Sequence, residues 1–128
     1  MASAAAAVNA RVRGDRGRIG PAASQPNELD HRHILRAVGN RRRYRYVEPR
    51  VLPAENGYRI VSPNCSRNID PDGGEIEVAL IHFTAASRTW RLFYRDHEAR
   101  RWCLAGEALQ LAPLLAELAA DDARRFWP

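Results

Sequence analysis

The sequence predicts an α+β fold: an antiparallel sheet of about five strands in meander order, with an N-terminal and a C-terminal helix packed on one face. Three observations predict it. Glu75 to Leu104, EIEVALIHFTAASRTWRLFYRDHEARRWCL, alternates with period two and is broken by two short polar turns, so it reads as three consecutive antiparallel strands. Ile34, Leu35, Ala37 and Val38 near the start, and Leu114, Leu115 and Leu118 near the end, cluster at helical spacing instead. The chain has 128 residues and 45% hydrophobic content, enough for one domain with a core and too little for two comfortable ones.

Taken in order, residues 1–27 carry Gly14, Gly17, Gly20, Pro21 and Pro26 with no apolar periodicity and are expected to form a disordered tail, leaving 28–128 as a single domain. Asn27 caps a helix over roughly Glu28 to Val38, with Asp30 at its third position, Arg32 and Arg36 on the polar side, and Gly39 and Asn40 as the stop. In RRRYRYVEPRVL, alternation sets Tyr44, Tyr46, Glu48 and Arg50 against Arg43, Arg45, Val47 and Val51, and Pro49 argues for an edge strand or a strand end. Pro53 to Gly57 reads as a turn, GYRIVS as a second short strand with Tyr58 and Ile60 on one face, and SPNCSRNIDPDGGE as the longest irregular connection. In the middle strand of the meander, Trp90, Leu92 and Tyr94 face one way while Arg91, Phe93 and Arg95 face the other, with turns near Ala85 to Ser87 and Asp96 to Ala99. The last helix starts near Ala112 because Pro113 suits a first turn, and Phe126 and Trp127 fold back onto the sheet to leave water.

The net charge of +5 is unevenly spread. All 20 basic residues are arginine, a usage that fits bidentate phosphate recognition and equally a GC-rich genome. Residues 1–27 supply four arginines against one aspartate, so the predicted domain is only mildly basic. Within it, His31 to Arg59 and Ser87 to Arg101 are arginine-rich while Ile60 to Ala86 is acidic, so patches of opposite sign are expected. No apolar run approaches the roughly 20 residues that span a bilayer. Two cysteines, Cys65 and Cys103, are too few for a disulfide scaffold, and MASAAAAV lacks the basic region of a secretory signal, so a cytoplasmic protein with reduced thiols is expected.

NELDHRHI, RYRYVEPRV, YRIVSPNCSRNIDPDGGEI, WRLFYRDH and the closing FWP together resemble a family of small uncharacterised bacterial proteins of unknown function. The resemblance covers residues 27–128 and implies no activity, cofactor or catalytic residue. It also makes the first 27 residues look like an addition.

Among chemistry-bearing residues, Arg41, Arg42, Arg43 and Arg45 interleaved with Tyr44 and Tyr46 combine phosphate donors with stacking rings, the pairing that single-stranded nucleic acid exploits. Arg91 and Arg95, flanking Phe93, extend that patch if their face turns the same way. The competing reading is an arginine-protected sheet edge. Cys65, two residues before Arg67, is a candidate reactive thiol, set against a plain buried thiol closing a loop. Neither cysteine belongs to a CxxC pair, and the histidines of HRH are about 200° apart on a helix, so no metal site is expected. Asn68, Asp70, Asp72 and Gly73 open like a calcium loop, but Ala79 stands where the bidentate glutamate belongs. Phosphate-binding glycine loops and nucleophile elbows are absent from the sequence, and no cofactor is expected. The expectation is a non-enzymatic module binding nucleic acid or another anionic partner. The alternatives are a protein-interaction or homodimerising module and a thiol enzyme using Cys65.

Overall fold

A computed structural model of the chain describes residues 24–42, 48–63 and 74–127. The Asn27 side chain accepts a hydrogen bond from the Asp30 backbone N–H at 2.9 Å and so opens helix α1 (Glu28–Gly39). Ile34 and Val38 are its buried stripe, while Leu35, expected beside them, is exposed. Five strands follow, β1 (Arg50–Ala54), β2 (Gly57–Pro63), β3 (Glu75–Thr84), β4 (Thr89–Asp96) and β5 (Arg101–Ala108), and helix α2 (Leu111–Ala120) closes the order. Neighbouring strands pair antiparallel in the order β1-β2-β3-β4-β5, the predicted meander.

Two boundaries differ from expectation. Strand β1 begins at Arg50, just past Pro49, and runs through Pro53, which pairs with Tyr58 where a turn was expected. An edge strand tolerates this because a proline there need not donate to a second neighbour. Residues 43–47, expected to lie in the same strand, fall outside the described residues. Helix α2 starts at Leu111, so Pro113 is its third residue, where its missing N–H has no intrahelical acceptor to lose.

Tyr58, Ile60, Ala79, Ile81, Trp90 and Leu92 make one face of the sheet and join Ile34, Val38, Leu114, Leu115 and Leu118 in the core. Two bulges shape it. Ile60 opposes Ala79 but Val61 opposes Glu77, leaving Val78 as the extra residue; both Val78 and Ala79 are buried. Leu92 opposes Gly106 and Phe93 opposes Leu104, so Ala105 is extra and also packs on the core.

Gln25 and Asn27, just before α1, are tied to this core through the Tyr58 phenol. The Tyr58 hydroxyl donates to Gln25 Oε1 at 2.7 Å and accepts from the Asn27 backbone N–H at 2.8 Å, while the His31 ring stacks parallel to Tyr58. Burial pushes the Tyr58 pKa up, since the phenolate would lose its hydration. Removing the hydroxyl in Tyr58→Phe strands the Asn27 N–H and is expected to cost about 1–2 kcal/mol in urea unfolding. An unchanged midpoint would show that the hydroxyl's hydrogen bonds add nothing to stability.

At the other end, Phe126 packs edge-on to Tyr94, and Trp127 Nε1 donates to the Leu118 carbonyl at 3.1 Å. Both rings are buried, as their apolar surface requires.

Candidate binding surface

Because side chains alternate along every strand, the sheet has a second face that neither helix covers. The registers set Leu52 beside Arg59, Arg59 beside Leu80, Leu80 beside Phe93 and Phe93 beside Leu104. These five residues form one row across all five strands. Leu104 is 53% exposed, and Leu52, Leu80, Phe93 and the neighbouring Trp102 are half-buried. Four apolar side chains and one arginine, aligned on a face that neither helix covers among the described residues, make a candidate interaction surface.

Charge pairs flank the row. Arg50 makes a bidentate contact with Glu75 at 2.7 and 2.8 Å, and Arg59 makes one with Glu77. Arg91 Nε donates to Glu107 at 2.6 Å and its Nη1 to Thr84 Oγ1 at 3.1 Å. The Arg95 guanidinium lies 5.2 Å from the centroid of the Trp102 ring. Glu77, as hydrogen-bond acceptor, holds the Arg59 pKa above its ordinary value. Burial, with Arg95 beside it, lowers that of His97. Exposed pairs of this kind stabilise the fold by only about 0–1 kcal/mol each. Their larger effect is to hold four guanidinium groups in place, three of them against carboxylates.

Of the arginines singled out from sequence, the four that are described lie on two different sides of the sheet. Arg41 is buried at 4% exposure, with its guanidinium 4.9 Å from the Trp127 ring and Nη1 donating to the Val38 carbonyl at 2.8 Å. Arg42 is exposed, 3.9 Å from Asp122, and its backbone N–H is bonded to Ala119 of α2. Both belong to the helical side, whereas Arg91 and Arg95 lie on the open face of the sheet. Arg43, Tyr44, Arg45 and Cys65 fall outside the described residues, as does the stretch from Asn68 to Gly73. Sequence reasoning passed over Leu52, Arg59, Leu80, Trp102 and Leu104. The signal was present in the period-two pattern of β3 and β5, but only the cross-strand registers align it into a row.

A separate cleft of about 410 Å³ opens between the starts of the two helices, with Phe83 and Trp90 beside Gln25, Asp30 and His33. Its carboxylate is already engaged: Asp30 accepts from Gln25 Nε2 at 2.7 Å and from Asn27 Nδ2 at 3.0 Å. Cys103, the free thiol among the described residues, is half-buried on β5 opposite Tyr94. Among the described residues no group of three or more His, Cys, Asp or Glu is placed to hold a metal ion, and no helix is long and apolar enough to cross a membrane.

Residues 22–128 match a family described as Domain of unknown function (DUF3024). No curated protein and no solved structure matches the chain.

Proposed function

The chain belongs to the DUF3024 family, a domain of unknown function, and we propose that it is a binding module whose working surface is the open face of its sheet, taking a protein surface of mixed charge. The observation that carries this reading is the row of Leu52, Arg59, Leu80, Phe93 and Leu104 flanked by Arg–Glu pairs. An apolar centre with a polar margin is the anatomy of a protein interface. A phosphate backbone fits the same face less well. Glu75, Glu77 and Glu107 already occupy three of its arginines, and a polyanion would have to displace them.

The Arg95–Trp102 stack beside Phe93 supports a second reading, single-stranded nucleic acid lying on an aromatic platform. A photo-reactive amino acid at position 104, compared with one at the exposed position 32 on α1, separates the two. Protease-sensitive adducts in cells from position 104 and none from 32 are the expected result. Nuclease-sensitive adducts would transfer the face to nucleic acid. Anisotropy of labelled single-stranded DNA and RNA is correspondingly expected to show no binding whose logarithm falls steeply with log salt.

A further inference from the structure

We propose that the partner on this face is a second copy of the same chain, the two sheets packing face to face about a two-fold axis that runs along β3 through Leu80. The inference rests on the open face being the working surface and names its occupant.

A two-fold interface must be complementary to itself, since each residue on one copy meets its symmetry mate's counterpart on the other. The row across the sheet meets that condition. Read from β1 to β5 it is Leu52, Arg59, Leu80, Phe93, Leu104, and reversed it gives leucine, phenylalanine, leucine, arginine, leucine. Turning one copy about an axis parallel to β3 lays its β1 over the other's β5. Leu52 then meets Leu104, Leu80 meets Leu80, and Arg59 meets the ring of Phe93, a cation beside an aromatic face. One row nearer the start of β3, Arg50 faces Trp102, the ring that its own chain's Arg95 already stacks on. Aligned packing of this kind is an ordinary arrangement for two sheets.

Two further considerations bear on it. Glu77 lies near the axis, where two copies of the carboxylate would approach, but each is already held by its own Arg59. The area is also adequate. Five strands about 4.8 Å apart, with β3 to β5 eight to ten residues long at about 3.3 Å per residue, give roughly 600 Å² per copy and 1,200 Å² in all, the low end of stable interfaces. The dimer is therefore expected to exchange with monomer within an accessible concentration range.

Sedimentation velocity of the full chain, from micromolar to submillimolar concentration, tests this. The expected result is a species of twice 14.4 kDa that gains weight with concentration. Leu80→Glu places two carboxylates on the axis and is expected to leave monomer only. Leu104→Glu, at a residue already 53% exposed and so tolerant of charge, is expected to weaken association roughly tenfold or more. Leu29→Glu, on the outer side of α1 and 64% exposed, is expected to change nothing. Circular dichroism on each variant confirms that it is folded. A chain that is monomeric throughout, or a dimer that survives both sheet-face substitutions, overturns the inference. The adduct from position 104 tells the two failures apart. A mass other than twice the chain leaves the face in use by a different protein, and no adduct removes the face altogether.

Discussion

Asp121→Ala is expected to lower the unfolding free energy by about 3–5 kcal/mol, out of all proportion to the size of the side chain removed. Asp121 ends α2 in the left-handed region at φ 46° and is 3% exposed. The C-terminal end of a helix dipole is an unfavourable place for a carboxylate. What offsets this is a hook in the chain that follows. The Arg125 and Phe126 N–H groups donate to Asp121 Oδ1 at 2.7 and 3.1 Å, and the Trp127 N–H donates to Oδ2 at 3.0 Å. Those bonds turn the backbone so that Phe126 and Trp127 reach the core, where Arg41 lies against the Trp127 ring. Alanine strands the N–H groups of Phe126 and Trp127 in a buried setting, at about 1–3 kcal/mol each. Asp121→Asn is expected to fall between, because its single carbonyl oxygen still accepts at the Oδ1 position while its amide nitrogen confronts the Trp127 N–H. Urea unfolding followed by tryptophan fluorescence measures all three chains. A loss below about 1 kcal/mol for alanine would mean that the closing residues dock without the hook.

The order of elements was legible because each depends on local pattern. Asn27 and Asp30 announce α1, Pro113 announces the first turn of α2, and the alternation through Trp90, Leu92 and Tyr94 announces β4 together with its buried face. Where the reading slipped, tertiary position had overridden the local signal. Pro53 suggests a turn, yet it sits in β1 because an edge strand has a side on which nothing pairs. Leu35 shares the apolar arc of α1 with Ile34 and Val38, yet the packing buries those two and leaves Leu35 exposed.

The candidate surface was less legible, for a reason that Arg41 illustrates. In sequence it heads an arginine cluster and looks like a phosphate donor; in the fold its guanidinium faces a tryptophan 86 positions later in the chain. Composition reports that an arginine exists but not what it faces. The same limit hid the row on the open face. Leu52, Arg59, Leu80, Phe93 and Leu104 are ordinary strand residues singly, and two bulges shift the registers that bring them together. A one-residue change of register would carry each side chain to the other face. The row is therefore a property of the pairing, invisible until the strands are aligned.

Gly57→Ala is expected to cost about 3–4 kcal/mol, or to prevent folding, although alanine is an ordinary strand residue. Gly57 opens β2 and stands opposite Ala54 on one side and His82 on the other. A Cβ placed there would lie 1.9 Å from the backbone oxygen of Ile81 and 2.9 Å from its carbonyl carbon. Nothing at that point is the end of a flexible side chain, so relief must come from moving β2 and β3 apart. The Phe83 N–H to Asn56 carbonyl bond of 2.8 Å, one residue before Gly57, is the contact such a movement would break first. Gly39 supplies the comparison. It closes α1 with nothing within 4 Å of the point where an alanine methyl would stand, so Gly39→Ala is expected to be neutral or to stabilise by up to about 1 kcal/mol through helix propensity. The two variants make the same chemical change, and only steric surroundings separate them. Equal unfolding midpoints would show that the sheet yields at Gly57; a large loss at Gly57 alone would show that β2 and β3 approach too closely there for any side chain.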